Sequence, residues 1–236
     1  MGKEMRSAPA DTGWKIAIPA GRDRMQARVL VWVVGAALIG LMALLVWLLQ
    51  ERGFVPRWFA SAGFFSAWIF SAGFAVLVWR MRAATGPAAF LGGVVCIDML
   101  LAQPMAYSWR HTALPALVTL FVLTFAATRF GRRRKEALDM GEPRQGRRAA
   151  QIVANLGVAG LCAGRSSEVW LVAGIAALAE AAADTVSSEM GQALGGTTWM
   201  ITSGQRVSAG NDGGVSVAGT ALGAGAAAVI AGVAVL

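Results

Sequence analysis

Between Arg28 and Glu51 the sequence runs for 22 residues without a charged side chain, and it does so again over the 22 residues from Trp58 to Trp79. About 20 apolar residues suffice to cross the ~30 Å hydrocarbon core of a bilayer as a helix. In lipid, only a helix or a closed barrel satisfies every backbone N–H and C=O internally. Further runs follow, so the fold class is all-α: a polytopic transmembrane helix bundle of about seven helices. With 56% hydrophobic and only 14% charged residues among 236, the chain is not an ordinary soluble domain. The formal charge of +8 and pI near 10.9 would suit nucleic-acid binding elsewhere; here they reflect basic loops beside the membrane. No nucleic acid is expected as a partner, and membrane lipids are. Cys96 and Cys162 fall inside apolar runs without metal-ligand spacing and read as small core residues.

Residues 1–25 are polar and mixed, an N-terminal arm, and residues 26–84 carry the N-terminal transmembrane helices. The first apolar run is too long for a signal-peptide core and lacks a small-residue cleavage pattern, so it reads as an uncleaved helix. MGKEMRS also departs from the myristoylation pattern, with Arg6 at its Ser/Thr position. Helices are expected near Arg28–Leu49, Trp58–Trp79, Ala88–Tyr107, Leu114–Thr128, Ala149–Ala163, Val169–Glu189 and Val215–Leu236. Tryptophans bracket the first two as interface anchors. Gly160 with Gly164, and Gly219 with Gly223, stand at the small-xxx-small spacing of close helix contacts.

Charge sets the orientation. The N-terminal arm and the second, fourth and sixth loops hold 17 of the 21 Lys and Arg residues, and the opposite loops hold four. The positive-inside rule places the N-terminus and the long polar stretch Asp184–Gly214 in the cytoplasm, in the inner or plasma membrane if the source is bacterial. Basic loop four and acidic loop six then share one face.

The Asp184–Gly214 stretch, rich in Ser, Thr and Gly, reads as a functional loop. Glu180 and Asp184 are i,i+4 neighbours, and Ser187 and Ser188 continue that face. Glu189, five residues past Asp184, joins it only if the helix unwinds near Gly191, Gly195 and Gly196. Such oxygen donors suit a Mg²⁺–phosphate site; a polar helix end facing water is the alternative. Asn211-Asp212-Gly213-Gly214 reads as a tight turn before a helix, able to approach a phosphate or simply to turn. The Arg129–Lys135 run determines topology or, with Arg147 and Arg148, supplies cations near a metal, with the amides of Gln151 and Asn155 following on the same side. Asp98 reads as a buried polar contact, with a proton site as the alternative. The one histidine, His111, has no assigned role. A P-loop NTPase is not expected, because no GxxxxGK[ST] occurs.

Four blocks, FAATRFGRRRKE, GRRAAQIVANLGVAGLCA, ADTVSSEMGQALGG and VSAGNDGGVSVAGTALGAGAA, occur in the order of a known family. They resemble the integral-membrane family of unknown function 92, which includes transmembrane protein 19 and the plastid phytyl-phosphate kinase of vitamin E synthesis. The resemblance covers roughly residues 85–236, marking that span as the catalytic membrane domain. It implies a CTP-dependent kinase that phosphorylates an isoprenoid monophosphate such as phytyl phosphate. It also implies Mg²⁺ held by Asp184, Glu189 and Asp212, with Lys135 among the catalytic residues. Substrate or nucleotide contacts would come from Arg129, Arg147, Gln151, Asn155, Ser187, Gly213, Gly214, Ser216 and Thr220. Two departures stand out: members continue past the last block into another Asp-Ser/Gly-Ala motif, and Asn211 stands where Thr or a small residue is common.

A monophosphate acceptor, with a second pKa of about 6, is largely ionised near neutrality and needs no strong general base. The lipid tail is expected along the small-residue faces of the fifth and seventh helices. A cytidylyltransferase making a CDP-lipid is the enzymatic rival. A transporter or non-catalytic membrane protein is the other, since glycine-broken helices and intramembrane acids also occur there.

Overall fold

The computed structural model describes residues 20–51, 62–101, 112–137, 146–163, 167–211 and 213–235. His111, Gly164 and Asp212, like the expected helix ends at Trp58, Tyr107 and Leu236, lie outside them. Eight helices occur among the described residues: α1 Ala20–Glu51, α2 Ala62–Arg80, α3 Gly86–Leu101, α4 Leu114–Arg129, α5 Arg132–Ala137, α6 Ala149–Ala163, α7 Glu168–Leu194 and α8 Val217–Val235. Seven are the apolar helices read from the sequence, and α5 is a short basic turn. Three, spanning Gly21–Leu48, Glu168–Leu194 and Val217–Ala234, are long and apolar enough to cross a membrane; the other four are shorter.

Two helices outrun their apolar stretches. Helix α1 begins at Ala20 rather than Arg28, and α7 runs to Leu194 rather than Glu189. Arg, Met, Gln and Glu are good helix formers, so nothing local stops the backbone where hydrophobicity ends. Helix α7 stops at Gly195, whose φ of 69° is left-handed and free of Cβ strain.

One core, with Leu38, Val95, Met99, Leu117, Leu178 and Ile230 at its centre, joins α1, α3, α4, α7 and α8. Helices α7 and α8 are in close contact. A Cβ on Gly219 would lie 2.6 Å from the Ser187 carbonyl oxygen, and one on Gly223 2.7 Å from that of Ala183. On α6, Gly157 and Gly160 meet Val34 and Leu38 of α1. At these four glycines the small-residue faces are therefore filled by neighbouring helices. The expectation of a lipid tail along the faces is corrected there, whereas Gly225 and Gly232 of α8 meet nothing within 4 Å.

Asp98 is fully buried in α3, and among the described residues neither carboxylate oxygen has a hydrogen-bond partner. The expected polar contact is not made by any described residue.

The stretch after α7 is a three-stranded antiparallel sheet in the order β2-β1-β3, formed by β1 Thr198–Met200, β2 Arg206–Val207 and β3 Gly214–Val215. Trp199 pairs with Arg206 on one side and Val215 on the other.

Candidate functional site

The connections after α2, α4 and α7 meet at one end of the bundle. Thr85 N–H donates to the Arg147 carbonyl and Arg147 N–H to the Ala83 carbonyl, each at 3.0 Å. Gly146 permits this approach. Its φ is 78°, and a Cβ there would run into the backbone of Arg82 and Ala83. Gly146→Ala combines a left-handed backbone with a clash, and is expected to destabilise the protein by about 2 kcal/mol or more. A fall in the thermal unfolding midpoint in detergent checks this.

Helix α5 ties the same end to α7. Arg134 donates to the Leu194 carbonyl at 3.0 Å. Lys135 is buried and donates to the carbonyls of Ala127 (3.1 Å) and Thr128 (2.8 Å) and to the carboxylate of Glu189. An ammonium has three donors, and all three are engaged. Lys135 thus caps the last turn of α4 and pairs with α7, instead of presenting its charge to a phosphate as expected.

Two cavities open here. The first, about 390 Å³, is polar and lies between the second half of α7, the sheet and the start of α8. Six of the site residues named from sequence line it: Asp184, Ser187, Gly213, Gly214, Ser216 and Thr220. Ser188, Gln192 and Thr198 add further polar groups. Asp184 is exposed, and its backbone carbonyl accepts from Ser187 Oγ at 3.0 Å. Ser216 precedes α8, and its Oγ accepts from Gly219 N–H at 3.2 Å as an N-cap. The Asn211 carbonyl accepts from Gly214 N–H at 2.9 Å, closing the expected tight turn.

The second cavity, about 100 Å³, is mostly apolar and lies among α2, α3, α4 and α6, touching Ala181 of α7. Phe74, Leu117, Phe121 and Leu156 line its body, and Arg82, Arg129, Arg147 and Asn155 its polar part. Arg129 stacks on Phe125 at 4.2 Å and donates one bond to the Met81 carbonyl at 2.8 Å.

Of the named residues that are described, three line neither cavity. Gln151 Oε1 accepts from Arg148 N–H at 2.7 Å, half of a capping box at the start of α6. Lys135 and Glu189 hold each other. The unwinding that would turn Glu189 toward Asp184 does not occur, because α7 stays helical to Leu194. Five helical residues place them about 140° apart around the axis. The expected metal set of Asp184, Glu189 and Asp212 is corrected to this extent. Among the described residues no three His, Cys, Asp or Glu side chains cluster as a metal site. The remaining donors of the polar cavity, one carboxylate with hydroxyl and amide oxygens, still fit a hard cation that takes one or two carboxylates plus phosphate oxygens.

Sequence reading missed Arg82, counted only as a topology charge, and Gln192 and Thr198. The helix stop before Gly86-Pro87 was the available signal for Arg82.

An apolar helix bundle with a polar, glycine-lined end defines an integral membrane protein. Residues 69–236 match the family model described as integral membrane protein DUF92, and the chain belongs to that family. Among curated proteins it is similar to the uncharacterized membrane protein sll0875 of Synechocystis, 35% identical over 126 residues, covering 50% of this chain and 48% of that one. It is also similar to Protein VTE6, chloroplastic, of Arabidopsis thaliana, 30% identical over 201 residues, covering 80% of this chain and 56% of that one. The chain spans about half the length of the curated relatives it matches. No solved structure matches.

Proposed function

We propose that the chain is a membrane kinase that transfers the γ-phosphate of a nucleotide, CTP first among candidates, to an isoprenoid monophosphate such as phytyl phosphate. The active end would face the cytoplasm. One observation carries this reading. Helix α7 lines the apolar cavity with Ala181 and the polar one with Asp184, only about 4.5 Å further along its axis. A lipid chain and a nucleotide triphosphate could thus be held beside one another. The resemblance of the motif blocks to the phytyl-phosphate kinase supports the same chemistry.

In this reading the polar cavity holds the triphosphate. Backbone around Gly213 and Gly214 approaches the phosphates closely, while Ser187 and Thr220 offer hydroxyls. Asp184 would hold Mg²⁺, which neutralises charge on the transferring phosphate when bound. Arg129 and Arg147 hold the acceptor phosphate, with Asn155 beside them, and the apolar cavity takes the isoprenoid chain. An acceptor phosphate oxygen forms a bond to the γ-phosphorus as the bond to the β-phosphate oxygen breaks. CDP leaves with that electron pair, and the product is an isoprenyl diphosphate. Catalysis rests on positioning and electrostatics.

The test is CTP turnover by the purified protein in detergent with Mg²⁺ and phytyl or farnesyl phosphate. Acceptor-dependent CDP release is expected. Pyrophosphate release would transfer the assignment to a cytidylyltransferase, and CDP release indifferent to acceptor would overturn it. Asp98 lines neither cavity. Asp98→Asn is therefore expected to leave turnover within about twofold of wild type, since it alters no group at the reacting phosphates. Loss of activity in that variant with an unchanged melting midpoint would favour an intramembrane proton or ion pathway.

A further inference from the structure

We infer that the apolar cavity is selective for a single-chain lipid monophosphate, with Arg82 as a third cation for its headgroup and Gly92 setting the length of chain it accepts. The inference rests on the acceptor half of the proposed function and asks nothing of the nucleotide.

Arg82 carries the first observation. Helix α2 ends in a Schellman arrangement: Ala83 N–H donates to the Val78 carbonyl at 3.0 Å and Arg82 N–H to that of Trp79 at 2.9 Å. The left-handed residue of that motif is usually glycine, because a Cβ is strained there. Here it is Arg82, at φ 54°, the one non-glycine positive φ among the described residues. A strained backbone at the rim of a cavity points to a side chain retained for what it does. Among the described residues, no hydrogen bond or ion pair engages the Arg82 guanidinium. Backbone bonds between Ala83, Thr85 and Arg147 fix Arg82 and Arg147 to one rim, and Arg129 joins them by binding Met81. Three guanidinium groups on an apolar cavity complement a doubly charged phosphate on a hydrocarbon chain.

Gly92 carries the second. It lines the cavity from α3, six residues in from Gly86 at the helix start and so about 9 Å deeper. A Cβ there would meet nothing within 4 Å. By contrast, its neighbour Gly93 faces the Ala75 side chain at 3.1 Å. A larger side chain at 92 can therefore extend into cavity space that a long acceptor chain would fill, without displacing protein.

The experiment is equilibrium binding to the full chain in detergent, without nucleotide, using dimethylallyl, farnesyl and phytyl phosphate as probes of increasing length. Farnesol and a two-chain phosphatidate serve as comparisons. Wild type is expected to bind the three phosphates and to prefer them over both comparisons. Arg82→Gly removes the backbone strain, so its thermal midpoint should be no lower than wild type. Its affinity for farnesyl phosphate should still fall about tenfold or more, the scale of a lost charge-assisted bond, with farnesol binding unmoved. Gly92→Val should cost phytyl phosphate about tenfold or more in affinity while dimethylallyl phosphate, whose five carbons end short of residue 92, binds as before, which also shows that the variant is folded. Equal loss across all chain lengths, or none, would overturn the role of Gly92. Undiminished phosphate binding by Arg82→Gly would overturn that of Arg82. Phosphatidate binding as tightly as phytyl phosphate would make the cavity a general phospholipid groove. Since none of these readings needs turnover, the inference stands or falls apart from the kinase assignment.

Discussion

Asp184→Asn is expected to lower acceptor-dependent CDP release by about a thousandfold while leaving the fold intact, the scale on which removing a key electrostatic group slows transfer chemistry. The substitution keeps the shape of the side chain and removes one negative charge. Asp184 is exposed toward the polar cavity, and Ser187 Oγ bonds to its backbone carbonyl, which Asn retains. Helix α7 therefore has no reason to change. In the proposed mechanism this carboxylate holds the cation that screens the β- and γ-phosphates, and a neutral amide oxygen is a poorer ligand for a hard ion. The check is kcat at saturating phytyl phosphate, read beside the thermal midpoint. Turnover within threefold of wild type would remove Asp184 from the chemistry.

Lys135→Met carries the second large effect, and it falls on stability. The ammonium is 2% exposed and its Glu189 partner 17%. Removing one member of a buried pair leaves the other charge without compensation, typically at about 3–5 kcal/mol. Partial exposure of Glu189 lets water screen part of that, so a loss near about 3 kcal/mol is expected. The variant also strips the Ala127 and Thr128 carbonyls of a donor, loosening the end of α4 where Arg129 sits. Glu189→Gln should be milder, because Lys135 keeps its two carbonyl partners and the amide oxygen can still accept. The double variant Lys135→Met/Glu189→Gln should lose less than the sum of the single variants, since no charge is left stranded. Thermal unfolding in detergent reads all three. A catalytic Lys135 would instead show a wild-type midpoint with lost turnover.

These two predictions separate residues that look alike in the sequence. Asp184 and Glu189 are both acids in one polar block, and spacing alone allowed them to share a ligand only if the helix unwound. That depended on whether Gly191 or Gly195 would break it. A single glycine inside a helix costs only about 1 kcal/mol relative to alanine, so packing of α7 on α8 carries the helix past Gly191. The break comes at Gly195, the C-cap of α7, at φ 69°. Likewise, Gln151 and Asn155 stand one turn apart on α6, yet one caps the helix and the other lines the apolar cavity.

The sequence by itself determined the membrane class, the seven apolar helices and the polar end that gathers the second, fourth and sixth loops. Those follow from hydrophobic length, charge asymmetry and the obligation to satisfy backbone groups in lipid, all carried by local composition. It also placed six residues that prove to line one polar cavity, because they lie within a single short stretch. Only the tertiary structure decided the rest. Strands of two and three residues in β1, β2 and β3 are too short to leave an alternating pattern. The pairing of Lys135 with Glu189 and the latch of Arg147 onto the end of α2 join residues more than fifty positions apart. Where an apolar cavity opens among α2, α3, α4 and α6 depends on which small residues a neighbouring helix fills, as at Gly219 and Gly223, and which it leaves open, as at Gly92. That is a property of packing between helices, and no periodicity along one chain segment records it.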